Sequence, residues 1–200
     1  MRSRASADRI TEPSTGESFE RELTVGGKRF SCLGVGVRKF LFVKIYGSAF
    51  CLESASAAAT VKAHVARVHP GKSGERLADA LEDDPRFFEA LEAAPGDKLV
   101  VMKLVHDVPK EKMAGAFRDA LDGVVPPAKV ALLVGALEQD AKAGQKILLY
   151  SEGDVLRIEV DGAPRQVADA DVARKLWRVW LGEKSVTPSM RGSIAAQAAR

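Results

Sequence analysis

Arg38 is the residue of this chain that most invites a chemical reading. It closes the run Gly34-Val35-Gly36-Val37-Arg38, among apolar residues and glycines. A guanidinium does not shed its proton, so an arginine in such surroundings is paired, hydrated or facing an anion. Tyr46 follows eight residues later. In one continuous strand that even spacing puts both side chains on the same face. Guanidinium and phenol can donate hydrogen bonds to one anion, a carboxylate or a phenolate. The residues alone leave a second reading open, in which Arg38 meets an acid at a sheet edge and Tyr46 is ordinary core. Lys44, two residues before Tyr46, is expected on the same face, adding charge to a clamp or extending to solvent.

Other candidate groups are weaker. His64 and His69 lie five apart near the end of an alanine-rich segment with no further ligands evident in the sequence, so no metal site is expected. Trp177 and Trp180 lie three apart and are expected to anchor a helix on a sheet. No Ser-His-Asp set, phosphate loop or Cys-x-x-Cys motif occurs, which leaves hydrolase, nucleotide-binding and thiol-redox readings without support, and no cofactor is expected. Cys32 and Cys51 form no metal pattern and are expected as buried free thiols.

The elements that must position these groups follow from periodicity. Two short runs around Gly26-Gly27 predict a hairpin. Gly34 to Leu52 reads as one or two strands, dense in aromatic and β-branched residues. Helices are expected over Ala57–Val68, around Leu77 and Leu81, and after Pro85 with Phe87, Phe88 and Leu91. Lys98–Val105 is a strand. From Pro109, Met113, Phe117, Ala120, Leu121 and Val124 form one apolar helical stripe, and a second helix is expected over Val130–Ala141. Strands at Lys146–Ser151 and Val155–Val160 precede a turn at Asp161-Gly162. The remainder is helical, with breaks at Gly182 and Thr187-Pro188. The order predicts an α+β fold, a mostly antiparallel sheet covered on one face by helices.

With 200 residues, 46% of them hydrophobic, and a formal charge of +3, the composition is that of a folded globular chain. The small charge argues against a nucleic-acid partner. No apolar run approaches the length of a membrane span, so no membrane partner is expected either. Residues 1–17 are polar and are expected to form a disordered tail on a cytoplasmic protein, with one ordered domain over 18–200 and a monomeric state.

Taken together, Gly34-Val35-Gly36-Val37-Arg38 and Phe42-Val43-Lys44-Ile45-Tyr46-Gly47-Ser48-Ala49-Phe50-Cys51-Leu52-Glu53 resemble the chalcone isomerase superfamily. The segment Ala173–Gly182, with Ser185-Val186-Thr187-Pro188 after it, looks like the bacterial chalcone isomerase-like branch. The resemblance implies an open-faced β-sandwich with a large antiparallel sheet, a helical layer and a ligand cleft between them. It also implies that Arg38 holds a ligand's oxyanion. In the plant enzymes that group serves an intramolecular lyase, an isomerase closing a ring by adding a phenolate across an enone. Those enzymes place a threonine where this chain has Tyr46, a tyrosine at the position of His106 and an asparagine at that of Met113. His106 retains the capacity to donate or shuttle a proton, whereas Met113 does not. Arg38 with Tyr46 instead looks like the fatty-acid-binding branch, which implies a small apolar carboxylate held by Arg38 and Tyr46; Lys44 and Met113 are the further ligand-binding residues expected beside them. The ring-closing isomerase, using Arg38 and His106, is the alternative.

Overall fold

The structure, a computed structural model, describes residues 8–200. Its centre is a seven-stranded sheet in strict sequence order, every neighbour antiparallel. The strands are β3 (Glu22–Val25), β4 (Lys28–Phe40), β5 (Val43–Glu53), β6 (Lys98–Leu104), β7 (Lys146–Glu152), β8 (Val155–Val160) and β9 (Ala163–Ala168). Helices α1 (Ser54–Val68), α2 (Gly74–Glu82) and α3 (Pro85–Glu92) link β5 to β6. Helices α4 (Lys110–Leu121) and α5 (Pro127–Gly135) link β6 to β7. Helices α6 (Ala170–Lys175), α7 (Arg178–Leu181) and α8 (Ser189–Ala198) follow β9. This is the expected α+β arrangement, a curled antiparallel sheet with a helical layer.

Alternation along the strands divides two cores. Tyr46, Phe50 and Leu52 of β5 face the helices, together with Trp177 and Trp180, whereas Ala49 and Cys51 face the other side. That second face is covered by a ribbon of β1 (Arg9–Thr11) and β2 (Ser18–Glu20), which buries Ile10 and Phe19. The tail expected over residues 1–17 is therefore corrected: residues 1–7 lie outside the described residues, and residues 8–17 are part of the fold. The turn joining the ribbon folds around Glu12, whose buried carboxylate accepts from the amides of Ser14 and Thr15 and the Thr15 hydroxyl. Polar composition concealed this because one buried isoleucine is enough to hold a three-residue strand in place.

Three further expectations change. Cys32 and Cys51 are joined in a disulfide and are not free thiols; they are direct partners across β4 and β5 on the ribbon-covered face. The helix expected over Val130–Ala141 ends at Gly135, and Ala141 instead forms a β-bridge with Val108. Residues 163–168 add a seventh strand, entered through the Asp161-Gly162 turn.

The contact that holds β4 in place is made by α8. Strand β3 pairs with β4 only over Lys28–Ser31, so the amides beyond it lack a strand partner on that side. Ser193 Oγ accepts from the Val35 amide at 3.0 Å and Ser189 Oγ from the Val37 amide at 3.1 Å. The helix approaches this closely because Gly34 and Gly36 face it. A Cβ on Gly34 would lie 2.6 Å from the Ile194 amide nitrogen, and one on Gly36 2.9 Å from that of Met190. Backbone cannot yield as a side chain does, so Gly34→Ala is expected to destabilise the fold by ~1–3 kcal/mol in chemical denaturation, the usual cost of overpacking. Gly135→Ala, which meets nothing within 4 Å, is expected to be neutral or stabilising in the same measurement.

Candidate functional site

Arg38 and Tyr46 are not on one strand. They sit on β4 and β5 as direct cross-strand partners, and for that reason their side chains share the helix-covered face. Just beyond them the register slips: Arg38 pairs with Tyr46 but Lys39 with Lys44, leaving Ile45 as a bulged residue. The bulge reverses the alternation. Lys44 turns to the ribbon-covered side, where its ammonium donates to the Ser14 carbonyl, and it takes no part in lining the cleft. The expectation that Lys44 shares a face with Tyr46 is corrected on this ground. The Ile45 carbonyl accepts the amides of both Val105 (2.9 Å) and His106 (3.2 Å), which pins the end of β6 beside the bulge.

Between this part of the sheet and α4 lies a cleft of about 540 Å³, within the range of small-molecule sites. Arg38, Tyr46, His106 and Met113 all line it, with apolar walls from Val43, Ile45, Met102, Phe117 and Val186. Arg38 is half-buried. One guanidinium N–H donates to the Val186 carbonyl at 3.3 Å, and no carboxylate among the described residues pairs with it. The edge-pair reading of Arg38 is thereby set aside. Tyr46 is buried, and burial is the chief reason that its phenol is pushed up to about 12; the Arg38 charge and the Trp180 indole act in the opposite direction. The hydroxyl is accordingly a neutral donor at physiological pH. The indole N–H of Trp180 beside it is buried without a hydrogen-bond acceptor.

The remaining candidates differ in depth. Met113 is half-buried on the apolar stripe of α4 and presents no polar atom capable of a strong bond. His106 is exposed at the mouth, and its neighbour Asp107, which also lines the cleft, accepts from the Ala143 amide and Lys142. Phe40 and Val43, which flank the β4–β5 turn and line the mouth, carry no chemical signature in the sequence beyond their hydrophobicity.

No family model matches the chain, and no curated protein sequence matches it. Among solved structures, the chain is similar to the crystal structure of an Arabidopsis thaliana fatty-acid binding protein. The TM-score is 0.72 at 18% identity, covering 96% of this chain and 98% of that one. The fold is the chalcone isomerase-like fold. No helix among the described residues is long and apolar enough to cross a membrane.

A second polar cluster lies at the far end of α1. Asp84 Oδ2 accepts from His64 Nε2 at 2.9 Å and His69 Nε2 at 3.0 Å, while Oδ1 accepts from the amide and guanidinium of Arg86. The three side chains could hold a metal by distance alone. A ligating histidine donates its other ring N–H to a partner, and the buried Nδ1 of His64 has none, so the geometry fits a carboxylate holding two imidazoles. Burial works against the charge of Asp84, but hydrogen bonds from His64, Arg86 and His69 outweigh it and hold its pKa down at about 2. A depressed carboxylate contributes stability above its ordinary pKa of 3.8, which is lost as pH falls through about 2. Denaturant unfolding of wild type should weaken across that window. Asp84→Asn should flatten this part of the profile and lower stability at neutral pH by ~1–3 kcal/mol.

Proposed function

We propose that the protein binds a small apolar carboxylate, such as a fatty acid, in the cleft between β4, β5 and α4. The observation that carries this reading is the half-buried Arg38 guanidinium, open to an apolar cleft and without a carboxylate partner among the described residues. Removing a guanidinium from water without an anion is costly, and a ligand carboxylate supplies that anion while its hydrocarbon replaces water along the walls. Tyr46 supports the same reading: a phenol kept neutral offers a hydrogen bond to the carboxylate without adding a competing negative charge. Met113 would contact the chain of the ligand. The similarity to a fatty-acid binding protein adds support at the level of the fold.

The ring-closing isomerase, which the resemblance rests on Arg38 with polar groups at positions 106 and 113, would need those two positions to supply donors inside the cleft. Met113 supplies none and His106 stands at the exposed rim, so binding is the preferred function.

Palmitate affinity, read by displacement of a fluorescent fatty-acid analogue, tests the proposal. Arg38→Ala is expected to weaken binding by about tenfold to 100-fold, the loss of a charge-assisted hydrogen-bonded contact, and Tyr46→Phe by about two- to tenfold. Absence of binding by wild type, or equal affinity in Arg38→Ala, would overturn it.

A further inference from the structure

Among the described residues, the exposed large hydrophobic side chains gather at the tip of the β4–β5 hairpin. Phe40, Leu41, Phe42 and Val43 are consecutive and all exposed, with Leu41 at 80% and Phe42 at 97%. Elsewhere among the described residues, Leu132 alone is a comparably exposed large hydrophobic residue. The chemistry of this turn departs from the rest of the sheet. The β3–β4 turn uses Gly26-Gly27 and the β8–β9 turn Asp161-Gly162, the residue types that tolerate positive φ. At the β4–β5 turn Leu41 takes φ 53°, a left-handed conformation that strains a bulky side chain. The chain thus keeps a large apolar residue where a small or polar one would fold more easily.

The tip is also convex and narrow, two residues wide at its end, so it offers little flat area for packing against another folded surface. Lys39 and Lys44 flank it as cross-strand partners, and the Lys112 ammonium lies 5.9 Å from the centre of the Phe40 ring. Glu111, Asp119 and Asp107 are the acids lining the same cleft, and Asp107 is already held by Lys142 and the Ala143 amide. A projecting apolar wedge with lysines at its base matches the interface of an anionic bilayer, where hydrocarbon enters the headgroup zone and ammonium groups meet phosphates.

We infer that the β4–β5 hairpin tip anchors the protein on anionic lipid surfaces, with Leu41 and Phe42 inserted and Lys39 and Lys112 at the phosphate level. This surface mode needs no spanning segment, so it stands outside the sequence argument against a membrane partner. Because Phe40 and Val43 line the cleft mouth, anchoring sets that mouth against the bilayer. The use of this placement for passing an acid between membrane and cleft rests on the binding function proposed above; the anchoring itself does not.

Co-sedimentation of the full chain with phosphatidylcholine vesicles, with and without phosphatidylglycerol, tests the inference. Wild type is expected to bind vesicles containing phosphatidylglycerol, more weakly as salt rises. The double variant Leu41→Asn, Phe42→Gly suits the turn and is expected to keep the fold, checked by circular dichroism. It should lose vesicle partitioning by on the order of 100-fold, from the apolar area withheld from the lipid. Its palmitate affinity in vesicle-free solution should remain within about twofold of wild type, well below the tenfold that 1.4 kcal/mol represents. No binding of wild type to anionic vesicles would overturn anchoring, as would undiminished binding of the double variant. So would a wild-type dimer, seen by size exclusion and abolished in the double variant, that does not bind vesicles. None of these results depends on the outcome with Arg38→Ala, so the two proposals fail separately.

Discussion

The second half of β4 has no neighbouring strand on its outer side, and the way α8 closes that side governs the rest of the molecule. Two serine hydroxyls accept the amides that a strand would have accepted, at Val35 and Val37. Two glycines remove the side chains that would hold the helix away. Unpaired buried amides are costly, so the helix can lie here only if both conditions are met. Its placement also brings the preceding loop over the end of β4, where the Val186 carbonyl takes one N–H of Arg38. The guanidinium is thereby held in the cleft by a neutral oxygen, with no carboxylate partner among the described residues.

The neighbouring strand on the same wall of the cleft owes its shape to a different feature. One extra residue in β5, Ile45, reverses the alternation so that Tyr46 points to the helices and Lys44 to the ribbon. The carbonyl of the same residue holds the backbone of Val105 and His106. A single irregularity therefore separates one cation from the cleft and fixes the position of a histidine at its rim. Tyr46, deep in the cleft, remains neutral because burial outweighs the nearby positive charge.

Much of this was legible in the sequence, and the failures have physical causes. The apolar stripe of α4, the glycines in the second half of β4 and the paired turn residues report directly on periodicity and backbone freedom, and the α+β order follows from them. Arg38 and Tyr46 share a face for a reason other than their even spacing. Even spacing suggested one strand, whereas a tight turn places the two opposite each other. A bulge carries no signature in a single sequence, so the orientation of Lys44 could not be read. The cysteine pairing depends on cross-strand register, which is likewise invisible before the strands are aligned. Residues 8–17 looked unstructured because their composition is polar; their order depends on the burial of Ile10 and on the turn around Glu12, a local arrangement that an average over composition hides.

The separation along the chain between Arg38 and the carbonyl that steadies it, 148 residues, has a consequence for biosynthesis. During translation β4 and β5 emerge with the Gly34–Arg38 edge unsealed, and the segment that seals it, residues 186–193, leaves the ribosome well after them. Until then the growing polypeptide carries an open strand edge beside an incomplete hollow. The cleft beside Arg38 is thus complete only after that segment has emerged, and the same delay leaves the edge available for mispairing with other chains while synthesis proceeds.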